Sequence, residues 1–189
     1  MAFTDKHYKD TKDITTGTET TAVPAYEFAG RHSLTEVKIP DGVASIGDYA
    51  FFRCSSLGTV SIPERVVSIG EGVFWYCRSL NNIIIPQNVS HIGDYAFFGC
   101  TGLTDIIIPE KVGYIGDYTF VACNGLTDIT LPNGIARIGE RAFLGCGKLS
   151  VIKFNGTAKQ WKSVVKGECW DKDTGKYTVR CTDGDINKK

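Results

Sequence analysis

Seven cysteines, three histidines and a set of scattered carboxylates are the residues of this 189-residue chain that could do chemistry. Five cysteines fall at Cys54, Cys77, Cys100, Cys123 and Cys146, each 23 residues after the last. Cys169 adds one further step of the same length, and Cys181 stands outside the series. Metal ligation or redox exchange is the chemistry such a set could do. A 23-residue step matches none of the short ligand spacings of zinc sites, and no histidine accompanies it. An odd number of thiols also excludes a complete set of intrachain disulfides. The favoured reading is that each thiol of the ladder is a small buried hydrophobe filling one turn of a repeated structure. Cys169 and Cys181 are left as a candidate pair that could staple the C-terminal end.

The other constellations are incomplete. His7, His32 and His91 have no serine or cysteine partner at a recognisable motif spacing, so no catalytic residue is nominated. Asp171-Lys-Asp173 begins like a calcium loop but lacks the later ligands, and it reads as a turn. Thr174-Gly175-Lys176 lacks the first glycine and the strand of a phosphate-binding loop. Asn88-Val-Ser90 and Asn155-Gly-Thr157 match the glycosylation sequon, which matters only in a secreting eukaryote. The expectation is a protein that is not an enzyme and needs no metal or cofactor. Charge narrows the partners further. With 21 basic and 21 acidic residues the formal net charge is zero, which removes the electrostatic case for nucleic acid or an anionic membrane. No apolar run approaches the roughly 20 residues of a membrane-spanning helix.

The elements that carry these residues repeat with them. Phe28, Phe51, Phe74, Phe97, Phe120 and Phe143 share the cysteine period, as do Leu34, Leu57, Leu80, Leu103, Leu126 and Leu149. Prolines close the units at 40, 63, 86, 109 and 132, and an Ile-Gly pair follows at 46, 69, 92, 115 and 138. Self-similarity at this period is the sign of a solenoid. Each unit holds one strand signal, such as Leu103-Thr-Asp-Ile106-Ile-Ile108-Pro109. Ile106 and Ile108 are two apart and point to one side, and proline ends the strand because it has no N–H for a ladder. So short a strand buries its apolar face only by stacking on its equivalent in the next coil, about 4.8 Å away. The Ile-Gly and Ala-Phe segments make the rest of the coil, with glycine expected to supply tight turns.

These residues resemble the BspA-like, Treponema-type leucine-rich repeats, whose 23-residue unit has this Ala-Phe, Cys, Leu and Ile-x-Ile-Pro pattern. The tail, from Phe154-Asn-Gly-Thr157 through Trp161 and Trp170 to Cys181-Thr-Asp-Gly184, is similar to the segment that ends many such arrays in bacterial surface proteins. The resemblance implies a leucine-rich repeat solenoid: six stacked coils, a short parallel sheet on the concave face and a small α+β C-terminal cap. It implies a non-catalytic adhesion or protein-binding module, with a protein ligand from host extracellular matrix or another bacterial surface. It also implies a cell-surface or secreted location. Residues 1–22 are Thr-rich and are expected to be a mobile segment without a legible signal peptide, which keeps a cytoplasmic location as the alternative. The solenoid is expected over 23–154 and the cap over 155–189. In the cap, Ala158, Trp161, Val164 and Val165 have helical spacing. A turn at Asp171–Gly175 and a strand over Tyr177–Cys181 follow it.

Outward positions are where a binding function would lie, because inward ones are committed to packing. Two rows can be read off the repeat. One is Glu36, Thr59, Asn82, Asp105, Asp128 and Val151; the other is Lys38, Ser61, Ile84, Ile107, Thr130 and Lys153. Together they give an apolar centre, Ile84 with Ile107, inside a polar rim, as protein-binding surfaces tend to have. Exposed isoleucines are also ordinary on β-sheets, and both readings stand at this point. The strand face offers on the order of 400 Å², half of the roughly 800 Å² a standard interface buries per partner. Tight binding would therefore need the flanking turns or several molecules. A second stripe, Phe52, Trp75, Phe98, Val121 and Leu144 with Tyr49, Tyr95 and Tyr118 nearby, reads first as stacking along the axis. If exposed, it would serve self-association, which makes a structural spacer or assembly scaffold the alternative function.

Overall fold

A computed structural model describes residues 21–188. The expected N-terminal segment therefore lies outside the described residues, except at its last two positions, where Ala22 already opens a strand. The elements in chain order are β1 (Ala22–Val23), β2 (Glu36–Lys38), β3 (Ser45–Ile46), β4 (Thr59–Ser61), β5 (Ser68–Ile69), β6 (Asn82–Ile83), β7 (His91–Ile92) and β8 (Asp105–Ile107). They continue with β9 (Tyr114–Ile115), β10 (Asp128–Leu131), β11 (Arg137–Ile138), β12 (Val151–Phe154), α1 (Ala158–Ser163), β13 (Val165–Lys166), β14 (Thr178–Cys181) and β15 (Gly184–Asn187). Each coil contributes one strand to the concave face and a two-residue strand to a second face. An aromatic arc returns the chain to the next coil.

The 23-residue period becomes strand register. Glu36 sits opposite Thr59 and Thr59 opposite Asn82, while Asp105, Asp128 and Val151 align in the same way, all in parallel strands. The concave face forms two hydrogen-bonded groups, β2-β4-β6 and β8-β10-β12-β14-β15. The second face divides likewise into β1-β3-β5-β7 and β9-β11-β13.

The core is a set of columns along the axis. Phe28, Phe51, Phe74, Phe97, Phe120 and Phe143 stack with ring centroids 5.2 to 5.6 Å apart, near the separation aromatic pairs favour. Leu57, Leu80, Leu103 and Leu126 are wholly buried beside them. The ladder thiols are buried too, and each donates to the phenylalanine carbonyl of the preceding coil. Cys54 Sγ lies 2.9 Å from the Phe28 carbonyl, Cys77 3.1 Å from Phe51 and Cys100 3.1 Å from Phe74. A cysteine thus fills the turn and also satisfies a buried acceptor.

The glycine of the Ile-Gly pair does a different job from the one expected. Its φ is not positive. A Cβ on Gly93 would lie 2.6 Å from the Glu71 amide nitrogen and from the Gly70 carbonyl carbon, so this glycine permits close approach of successive coils. The left-handed turns fall elsewhere, largely on residues with side chains: Tyr26, Tyr49, Tyr95 and Tyr118 have φ of 57 to 59°.

The cap departs from the expected pattern in three ways. It adds a seventh rung, because β14 pairs in parallel with β12 and β13 with β11. The helix stops before Val165, which is 63% exposed and opens β13. A capping box, with Thr157 and Gln160 bonding each other's backbone, starts the helix, and only Trp161 of its residues is buried. Finally, Cys169 does not continue the thiol ladder. With φ of 51° it occupies the left-handed position that Tyr118 and Arg141 hold in earlier coils. The helix insertion shifts the phase, so its 23-residue spacing from Cys146 is a coincidence. Trp161 and Trp170 pack with centroids 6.1 Å apart, and Trp170 meets the last phenylalanine of the stack, Phe143, also at 6.1 Å.

Candidate functional site

Parallel stacking of the concave strands lines up outward positions every 23 residues. In β2, β4 and β8 the central residue is buried and both neighbours are exposed. That pattern puts Glu36, Lys38, Thr59, Ser61, Asp105 and Ile107 on the surface. Asn82 is exposed in β6, and Ile84 follows directly after that strand. Asp128 and Thr130 are half-buried in β10. Ile84 is 77% exposed and Ile107 61%, so the two outward isoleucines of neighbouring coils are open to solvent. Lys153 Nζ lies 3.9 Å from Asp128 Oδ1, and Thr104 Oγ1 donates to Asp105 Oδ2 at 3.0 Å. The rim is thus polar and mixed in sign around an apolar centre.

The aromatic stripe is mostly consumed by itself. Tyr26 stacks on Tyr49 at 5.0 Å, Trp75 on Tyr95 at 5.1 Å, and Tyr95 on Tyr118 at 4.9 Å. Gly72 occupies the tyrosine position of its coil, and a Cβ there would meet the Tyr49 ring at 2.5 Å; the Trp75 ring fills the gap in the column. Val121 is buried, and Phe52, Phe98 and Leu144 are half-buried. Burial, and then the nearby Glu71 carboxylate that accepts from its hydroxyl, push the Tyr49 phenol up.

Stacking brings together two pairs that the linear chain conceals. His32 Nδ1 lies 3.3 Å from Ser55 Oγ, and His91 Nδ1 lies 2.7 Å from the Tyr114 hydroxyl. Both pairs are 23 residues apart, so reading the period as a contact map finds them where motif spacing does not. Neither pair has a third group to orient the imidazole among the described residues, which is what nucleophile activation requires. Among the described residues no cluster of three or more His, Cys, Asp or Glu side chains could hold a metal. Burial pushes the Cys54 and Cys146 thiols up to about 12 and drives Cys77, Cys100 and Cys123 well above the usual range. These thiols are inert as nucleophiles. All seven cysteines are free, with Cys169 and Cys181 partly exposed. Among the described residues no helix is long and apolar enough to cross a membrane. The structure presents a stacked scaffold with a displayed strand face.

Known proteins share this architecture. A leucine-rich repeat protein of Treponema pallidum is 30% identical with a TM-score of 0.71, over 78% of this chain and 66% of that one. A leucine-rich cell surface protein of Faecalibacterium prausnitzii is 32% identical with a TM-score of 0.70, over 86% of this chain and 43% of that one. A leucine-rich repeat protein of Bacteroides ovatus is 26% identical with a TM-score of 0.59, over 82% of this chain and 45% of that one. The chain therefore spans about two thirds of the treponemal protein and less than half of the other two. No curated protein sequence matches it significantly. Residues 21–150 match the BspA type leucine rich repeat region in six copies, and with the column structure described above the chain belongs to the BspA-type leucine-rich repeat family.

Proposed function

We propose that the protein is a non-catalytic adhesion module that holds a protein ligand on its concave sheet and flanking turns. The observation that carries this reading is the solvent-open pair Ile84 and Ile107. Such a pair within the mixed polar rim of Glu36, Lys38, Thr59, Ser61, Asn82, Asp105, Asp128 and Thr130 matches the apolar-centre, polar-rim layout of protein interfaces. The ligand is a protein of host extracellular matrix or of another bacterial surface, and the protein itself acts at the cell surface or after secretion. Likeness to a cell surface protein of Faecalibacterium prausnitzii supports that location.

The experiment is a pull-down with the immobilised protein from extracellular-matrix and bacterial-surface extracts, run beside the Ile107→Arg variant. Bands retained by the parent and lost by the variant are expected; identical captures move the site off the strand face. A second reading, a spacer or self-associating scaffold, is favoured by β15, whose outer edge pairs with no other strand among the described residues. Sedimentation over a concentration series separates the two, because a strict monomer argues against self-assembly.

A further inference from the structure

Successive coils are tied along three lines of backbone hydrogen bonds, one on the concave face, one on the second face and one along the aromatic arc. On the concave face Asn81 N–H donates to the Gly58 carbonyl at 3.3 Å and Thr127 to Thr104 at 2.8 Å. On the second face Ser90 donates to Val67 at 3.0 Å, Gly93 to Ile69 at 2.9 Å, Ala136 to Gly113 at 2.8 Å and Gly139 to Ile115 at 2.9 Å. At one junction the first two lines stop. Among the described residues Thr104 does not reach Asn81, Gly113 does not reach Ser90 and Gly116 does not reach Ile92. Both sheets divide at this same junction, between β6 and β8 and between β7 and β9.

The third line runs through the junction unbroken. Tyr95 donates to Asp117 at 3.0 Å, Phe97 to Thr119 at 3.0 Å and Gly99 to Val121 at 2.8 Å. The Tyr95 and Tyr118 rings stack across it at 4.9 Å. Side-chain contacts cross the junction beside the open lines: Lys111 Nζ meets Asn88 Oδ1 at 2.7 Å, the Tyr114 hydroxyl meets His91 Nδ1 at 2.7 Å, the Asp117 N–H donates to Asp94 Oδ1 at 2.8 Å, and Thr101 Oγ1 donates to the Arg78 carbonyl at 3.3 Å. At this junction His91 faces Tyr114, their rings 5.8 Å apart and tilted by 59°, where two junctions earlier Ser45 faces Ser68. A shallow polar cleft of about 220 Å³, lined by Asp94, Tyr114, Asp117 and Arg137, opens at this place.

We propose that this junction is a hinge. The three leading coils and the following ones move as two blocks about the intact aromatic arc, opening and closing the concave face. A joint secured on one side and free of main-chain rungs on the other two bends where resistance is least. Ile84 and Ile107 lie on opposite sides of it, so a partner that contacts both sets the angle between blocks. The hinge goes beyond the binding reading and does not depend on it.

Electron–electron distance measurement on the free protein tests it. Spin labels at Ser61→Cys and Thr130→Cys lie three rungs apart across the junction. Labels at Ile107→Cys and Arg180→Cys lie three rungs apart within one block. Cys169 and Cys181 are replaced by serine in both. The crossing pair is expected to give a distance distribution about twice as broad, and equal widths overturn the hinge. Hydrogen exchange on the unmodified chain is independent of labelling. The amides of Gly113 and Gly116 are expected to exchange about tenfold faster than those of Ala136 and Gly139, and equal protection likewise overturns it.

Discussion

Ala122 has φ of 56° in a left-handed column that holds Gly30, Gly99 and Gly145 in three coils and Arg53 and Tyr76 in two. The left-handed region costs a residue with a Cβ about 1–2 kcal/mol, while glycine adds about 0.5–1 kcal/mol of chain entropy to lose. Ala122→Gly should therefore raise stability by up to about 1 kcal/mol, read as a higher denaturation midpoint; a lower midpoint contradicts the strain assignment. The ladder thiols set a pH dependence whose sign follows from their burial. They stay protonated in the fold up to about 12 for Cys54 and Cys146, against 9.0 for an ordinary thiol. Above pH 9 the unfolded chain releases those protons while the folded chain keeps them. Their contribution is complete below about pH 9 and is lost toward about pH 12, at about 1.4 kcal/mol per thiol per pH unit. Urea midpoints should fall steeply between pH 8.5 and about 10.5, and less steeply in a Cys100→Ala variant. Labelling at neutral pH should modify Cys169 and Cys181 in the folded protein and all seven thiols only after denaturation.

At the scale of elements, the period made the concave strands legible, because Ile-x-Ile-Pro fixes both which residues point inward and where the strand ends. Register followed from the same 23 residues, as Glu36, Thr59 and Asn82 show. The outward placement of the two rows was legible for the same reason, as the exposed Glu36, Lys38, Asp105 and Ile107 show. What the repeat could not reveal was the role of its glycine and the phase of its end. Close approach of Gly93 to the preceding coil is a contact between residues 22 and 23 apart, invisible in a local turn pattern. Cys169 misleads because the inserted helix lengthens the last coil, so that Ile152 pairs with Val179 instead of with a residue 23 further on, and a count of 23 from Cys146 falls short of the equivalent position. The hinge is equally hidden, since His91 and Tyr114 become neighbours only after stacking. Gly139→Ala would bring a methyl to 2.6 Å from the Asp117 amide nitrogen and the Gly116 carbonyl carbon. With no side-chain rotation to relieve a backbone clash, the loss should be about 1–3 kcal/mol; an unchanged midpoint argues against the close-approach role.

For the whole molecule, stability and function separate along the axis. A solenoid exposes its core at an uncovered end, and the cap covers this one with Trp161 and Trp170 against Phe154 and Phe143. Truncation after Asn155 removes both tryptophans and the β14 rung, and should yield an aggregating or poorly folded chain; a soluble, cooperatively melting truncation contradicts the capping role. Ile84 and Ile107 are largely exposed, so replacing them gives up little buried apolar area. Ile84→Arg with Ile107→Arg should therefore leave the melting temperature within a few degrees of the parent while removing the apolar centre. The most direct test of the binding account is the Kd of the captured partner for the parent and for this double variant. At least about a tenfold loss is expected, the fold-change of about 1.4 kcal/mol at an interface centre; equal Kd values with equal melting temperatures would contradict concave-face binding.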